Sequence, residues 1–108
     1  MIWEVTFYSD KVESEILDMP KGMVAKFVRA GDLMIVSGPN LGMPHTKSMD
    51  DGLFELRLKS SEGIARVFFC TVVNQKIVFL HHFIKKTQKT PPKELNIARK
   101  RMKEAKDA

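Results

Sequence analysis

Cysteine is almost absent from this chain of 108 residues. Cys70 stands alone, so no intramolecular disulfide can form. Long apolar runs are missing as well, and no stretch reaches the ~18 residues that a membrane-spanning helix needs. The opening segment, MIWEVTFYSDK, has neither the charged head nor the apolar middle of a secretory signal. A cytoplasmic protein with no membrane partner is therefore expected. Metal-ligand spacing is lacking too: one cysteine and three histidines form no zinc pattern, and His45 is far along the chain from His81 and His82. GPNLG has no Lys-Ser/Thr behind it, so it is not a phosphate loop, and no Ser/His/Asp hydrolase motif is present. No cofactor is implied. Acidic residues are scarce at one end only. From Lys85 onward nine Lys/Arg face three Asp/Glu, whereas the residues before it hold nine against ten. The net charge of +5 thus sits in the final quarter. Such a segment is either a solvated helix face or the footprint of a polyanion, most simply nucleic acid.

What is present is the material of one small globular domain, with 44% hydrophobic residues over 1–108. IWEVTFY (2–8) alternates like a strand, with Trp3, Val5 and Phe7 on one face. Ser9 and Asp10 suit the N-cap of a short helix running to about Met19, and Pro20 suits the first turn of a second. In that second helix Met23, Val24, Phe27, Val28, Gly31, Met34 and Ile35 form one stripe, with Gly31 placed to permit close packing. SGPNLGMP ends it and opens a loop that runs to Gly52. LFELRLK (53–59), IARVFFCTVV (64–73) and KIVFLHHFI (76–84), joined by short links, read as an antiparallel meander. A last helix follows Thr90-Pro91-Pro92, with an apolar stripe of Leu95, Ala98, Met102 and Ala105. The expected fold is α+β in the order β-α-α-β-β-β-α. A mostly antiparallel sheet of about four strands carries an N-terminal helical hairpin on one face.

The candidate chemistry lies on the strands. Arg57 is on the polar face of its strand, and Arg66 interrupts an apolar one, where a guanidinium is costly to desolvate without partners. The hairpin makes their strands neighbours, so both can project from one face. The plain reading is a Glu55–Arg66 cross-strand pair that decorates the sheet. The functional reading is a phosphate clamp, for which arginine is well shaped. Lys85 and Lys86 end the adjoining strand, and Lys47 lies in the loop before Arg57's strand, two residues from His45. Of His81 and His82, at most one can face the same site if the strand alternates regularly.

Two stretches carry a family likeness: KSMDDGLFELRLKSSEGIARVFFC (47–70) and IVFLHHFIKKTQKTPPKE (77–94). With them the chain resembles the RelE/ParE toxin superfamily, and within it the HigB-like, phage-related branch. The resemblance implies a RelE-like fold and an endoribonuclease that cuts mRNA, usually on the ribosome. It also implies silencing by a co-encoded helix-turn-helix antitoxin. Carried over by position, Arg66, Arg57, Lys47, Lys85 and Lys86 fall where such toxins place basic active-site groups. Lys47 or Lys86, or else His45 or His82, is then the candidate general base. Lys89, Lys93, Arg99 and Lys100 on the terminal segment are candidate RNA-phosphate contacts. One departure is plain: several RelE-type relatives carry a tyrosine near the C-terminus, whereas this chain has no aromatic residue after Phe83. RNA brings its own nucleophile, the 2′-hydroxyl, so fixed cations suffice to stabilise the charged phosphorane without a metal. Two alternatives share the fold and charge: a non-enzymatic, ParE-like gyrase poison, and a basic RNA- or ribosome-binding module.

Overall fold

The computed structural model describes residues 2–86 and 89–108; Thr87 and Gln88, inside the second family-like stretch, lie outside these, as does Met1. The elements in chain order are β1 (Glu4–Phe7), α1 (Asp10–Leu17), α2 (Lys21–Ser37), β2 (Thr46–Ser48), β3 (Phe54–Ser60), β4 (Gly63–Val72), β5 (Lys76–Ile84) and α3 (Pro92–Asp107). They form one sheet in the order β1-β5-β4-β3-β2. β1 runs parallel to β5, and the other neighbours are antiparallel.

The α+β expectation holds, with one more strand than the alternation announces. The sequence predicts a loop over Thr46–Ser48. It pairs with Phe54–Leu56 at the sheet's edge, because the turn between them folds back through Asp50, Asp51 and Gly52, all at positive φ. Three polar residues carry no alternation signal of their own, so only pairing with β3 makes them a strand.

Local chemistry explains the remaining boundaries. Ser9 caps α1, its hydroxyl oxygen accepting from the Val12 amide at 3.2 Å. Pro20 begins α2 without a side-chain cap; instead the Glu62 carboxylate, reaching over from the β3–β4 turn, accepts from the Gly22 amide at 2.7 Å. An anion there complements the helix dipole. The β4–β5 turn has Asn74 and Gln75 both at positive φ, the two-residue geometry that matches the twist of a hairpin.

The sheet is covered on both sides. Val12, Ile16, Met23, Phe27 and Met34 of α1 and α2 pack against Leu56, Leu58, Val67, Phe69 and Phe79. On the other face Ala98 and Met102 of α3 pack against Phe68, Cys70, Val78 and Leu80. Gly31 lies buried on the α2 stripe, but a methyl group added there would meet nothing within 4 Å. It is therefore not the close-approach point its position suggests, because the sheet beneath does not press on that turn.

Between Phe68 and Phe69 the β4–β5 register shifts: Phe69 faces Phe79 but Phe68 faces His81. Leu80 is the extra residue of a β-bulge. Leu80 and His81 consequently both belong to the α3 face, and alternation resumes with the opposite phase. His82 and Ile84 fall on the α1–α2 side, Phe83 and Lys85 on the α3 side.

Candidate functional site

Pairing across three strands assembles the site. Lys47 lies opposite Glu55 across β2 and β3. Arg57 lies opposite Arg66 across β3 and β4, and Arg66 lies opposite Phe83 across β4 and β5. Alternate residues of a strand share a face, so Lys47, Glu55, Arg57 and Arg66 all project from the α3 side. Lys85 joins them one step past β5: its backbone amide still donates to the Ile64 carbonyl, at 2.7 Å, which prolongs the ladder and fixes its position.

At the base of this cluster lie two buried charges. Arg66 Nε meets Glu55 Oε1 at 3.3 Å, with side chains only 5% and 4% exposed. The second carboxylate oxygen of Glu55 accepts from the Thr90 hydroxyl at 3.1 Å. The expected Glu55–Arg66 cross-strand pair is thus present, and it stands inside the cationic cluster. Burial pulls the Arg66 guanidinium down from its ordinary value; Glu55 opposes this and Arg57 adds to it. Arg57 is half-buried and Lys47 exposed, so both can reach solvent ligands.

The Lys85 amine is perturbed by its surroundings. Partial burial lowers its pKa from the ordinary lysine value, and Arg66, Arg57 and Lys47 push the same way while Glu55 opposes them. A lysine crowded by cations gives up its proton more readily, which is what a group that takes and returns protons near neutrality requires.

Other expected residues fall elsewhere. Lys86 is exposed, beyond the strand, and is not among the charges that bear on Lys85 or Arg66. His82 requires a correction: the bulge turns it to the α1–α2 face, opposite Val67, away from the cluster. His45 leaves its side chain exposed, and its carbonyl accepts from the Arg57 amide at 2.8 Å. Lys93 and Lys100 are exposed on α3, and Lys89 is exposed in the segment before it. Arg99 is committed instead: its guanidinium donates to the Met49 carbonyl at 2.6 Å and to that of Asp50 at 3.4 Å, tying α3 to the turn beside Lys47.

Two partnerships carried no sequence signal. Thr90 and Glu55 are 35 residues apart. His81 Nε2 and Glu94 Oε1 stand 2.7 Å apart, and the imidazole lies nearly parallel to the Phe68 ring at 6.5 Å. Regular alternation left open which histidine faces the site, and the bulge decides it.

Among the described residues no group of three or more His, Cys, Asp or Glu side chains stands together to hold a metal ion. No helix of the described residues is long and apolar enough to cross a membrane. No curated protein matches the chain. Residues 14–103 match the family described as Phage derived protein Gp49-like (DUF891), a family related to RelE-type toxin proteins. With most of its length matched, from within α1 to the last turns of α3, the chain belongs to the Gp49-like family of phage-derived proteins.

Proposed function

We propose that this protein is the toxin of a type II toxin–antitoxin pair, a HigB-like endoribonuclease that cleaves mRNA on the ribosome without a metal. The observation that carries this reading is the convergence of Lys47, Arg57, Arg66 and Lys85 on one sheet face, with Glu55 as the carboxylate among them. Family membership supports the toxin class. The cations support the chemistry, since a gyrase poison needs no phosphate clamp.

In this mechanism Lys85, in its neutral form, takes the proton of the substrate 2′-hydroxyl. The 2′-oxygen attacks the adjacent phosphorus, and negative charge grows on the non-bridging oxygens, where Arg57 and Lys47 stabilise it. The bond to the 5′-oxygen breaks, and that oxygen takes the proton back from the Lys85 ammonium. The products are a 2′,3′-cyclic phosphate and a 5′-hydroxyl strand. Arg66, held by Glu55, supplies fixed positive charge beneath the phosphate and keeps the Lys85 pKa low. Lys93 and Lys100 suit sequence-blind, salt-sensitive attraction to ribosomal RNA phosphates.

The test is 5′-end mapping of transcripts in translating extracts containing EDTA-treated protein. Wild type is expected to cut. Arg57→Ala is expected to cut ~100- to 1000-fold more slowly, the usual cost of losing one oxyanion donor. Intact transcripts, together with DNA breaks when the protein is expressed, would replace this reading with the gyrase one.

A further inference from the structure

We infer that Met43 is a redox modification site: oxidised to the sulfoxide by a peroxide, it captures the Arg57 guanidinium and slows the cationic site. Met43 is 62% exposed, whereas Met19, Met23, Met34 and Met102 are buried. Met49 is half-buried against the α3 side of the core. Among the described residues, then, Met43 is the thioether that stands open to a dissolved oxidant. It also has a neighbour of consequence. Arg57 Nη1 lies 4.0 Å from its Sδ, a weak N–H···S contact. Hydrogen bonds on both sides hold the loop in this place. The Gly42 amide donates to the Thr46 hydroxyl at 2.9 Å and to the Asn40 side-chain oxygen at 3.1 Å. Just beyond, the His45 carbonyl accepts from the Arg57 amide at 2.8 Å.

The step is a two-electron oxygen transfer. A sulfur lone pair attacks one oxygen of hydrogen peroxide, an S–O bond forms and the O–O bond breaks. The second oxygen leaves with both protons as water. Sulfur is oxidised and the peroxide reduced. The product is polar, and sulfoxide reductases return it to the thioether. Inside a core this change disrupts packing; on an exposed loop it leaves the fold intact. What it alters is the bond to Arg57. A thioether sulfur is a weak acceptor. A sulfoxide oxygen carries partial negative charge, and a guanidinium that donates to it makes a charge-assisted bond. Arg57 reaches solvent from the cluster. Once it donates to the sulfoxide, fewer of its N–H groups remain for a phosphate, and its positive charge is partly offset. The resulting slower cleavage rests on the function proposed above; the oxidation and the capture of Arg57 do not.

Dilute hydrogen peroxide is added to the full chain, and tandem mass spectrometry follows each methionine. Met43 is expected to gain oxygen well before Met49. In NMR spectra of labelled protein the Arg57 Nε–H resonance, assigned with Arg57→Lys, should shift on oxidation while that of Arg99 stays. Cleavage should slow by about tenfold, the low end of what a hydrogen bond to a charged group contributes, and sulfoxide reductases should restore it. Met43→Leu should cut at one rate before and after peroxide. Met43→Gln, which sets an amide oxygen beside Arg57, should be slow without peroxide. Oxidation of Met49 as fast as Met43 overturns the proposal, as does an unmoved Arg57 resonance once Met43 is fully oxidised. So does an unchanged cleavage rate in that oxidised protein. A peroxide effect that persists in Met43→Leu overturns it too, by placing the sensitive group elsewhere. Untreated protein that cuts no RNA refutes only the proposed activity, and the Arg57 resonance then decides the capture by itself.

Discussion

Arg66 and Glu55 set the terms at the scale of single residues. Each is the other's partner in a place water hardly reaches, so removing one leaves a buried charge uncompensated. Arg66→Ala is expected to lower unfolding free energy by about 3–5 kcal/mol, measured by urea titration. The double variant Glu55→Leu/Arg66→Met should be less destabilised than either single loss, because apolar replacements of similar volume relieve both charges. A double variant as unstable as the two losses summed would show that the pair is not a coupled unit. For this reason loss of activity in Arg66→Ala says little about catalysis, whereas the more exposed Arg57 can be altered with less risk to the fold. Lys85 makes the sharper catalytic test. As a base with a lowered pKa it should give cleavage that rises with pH until the amine is fully neutral. Lys85→Arg keeps the charge at all accessible pH and should abolish that rising limb along with most of the rate. An unchanged pH profile in Lys85→Arg would assign the proton transfer to another group.

At the scale of elements, what was readable in the sequence was whatever repeats. β3, β4 and β5 lie within a residue or so of the apolar and alternating runs that announce them, α1 starts at its serine cap, and α3 buries the narrow stripe of Ala98 and Met102. What depends on a distant partner was not readable. Thr46–Ser48 becomes a strand only because β3 is there to pair with it. Arg99 resembles a phosphate contact in one dimension and proves to be a strut to the Met49 and Asp50 carbonyls in three. In the candidate site, Arg57 and Arg66 were brought together by hairpin logic alone, whereas the choice of Lys85 over Lys86 needed the register of β5. Gly31 illustrates the same limit within a helix. Its neighbourhood is open, so Gly31→Ala should gain helix propensity without a clash. The expected gain is about 0.5–1 kcal/mol, visible as a melting temperature a few degrees higher. A lower melting temperature would mean that a methyl group at Gly31 meets a close neighbour in the α2 stripe.

At the scale of the whole molecule, the sheet separates two neighbouring histidines. On the α3 face His81 is paired with Glu94. On the α1–α2 face burial, and then the neighbouring His81, lower the His82 pKa, against weaker pulls from Glu15 and Glu94. A histidine whose folded pKa lies below its unfolded value of about 6.5 binds fewer protons when folded. Stability therefore rises with pH between the two values and is flat above them. Acidification below about 6.5 should lower the unfolding free energy progressively until the folded pKa is passed, and His82→Gln should flatten that dependence. An identical slope in the variant would place the acid sensitivity elsewhere. Finally, Leu80 has an effect beyond its own packing. Because it is one residue too many for the ladder, everything downstream on β5 is inverted with respect to the sheet. Were the bulge flattened with Leu80 kept in the ladder, Lys85 would emerge among the leucines while His82 came to stand opposite Arg66; excising Leu80 itself would leave both on their present faces. The amine's address thus depends on one residue standing outside the ladder's count, and a chain of the same sequence without that kink would carry its charges on the wrong side.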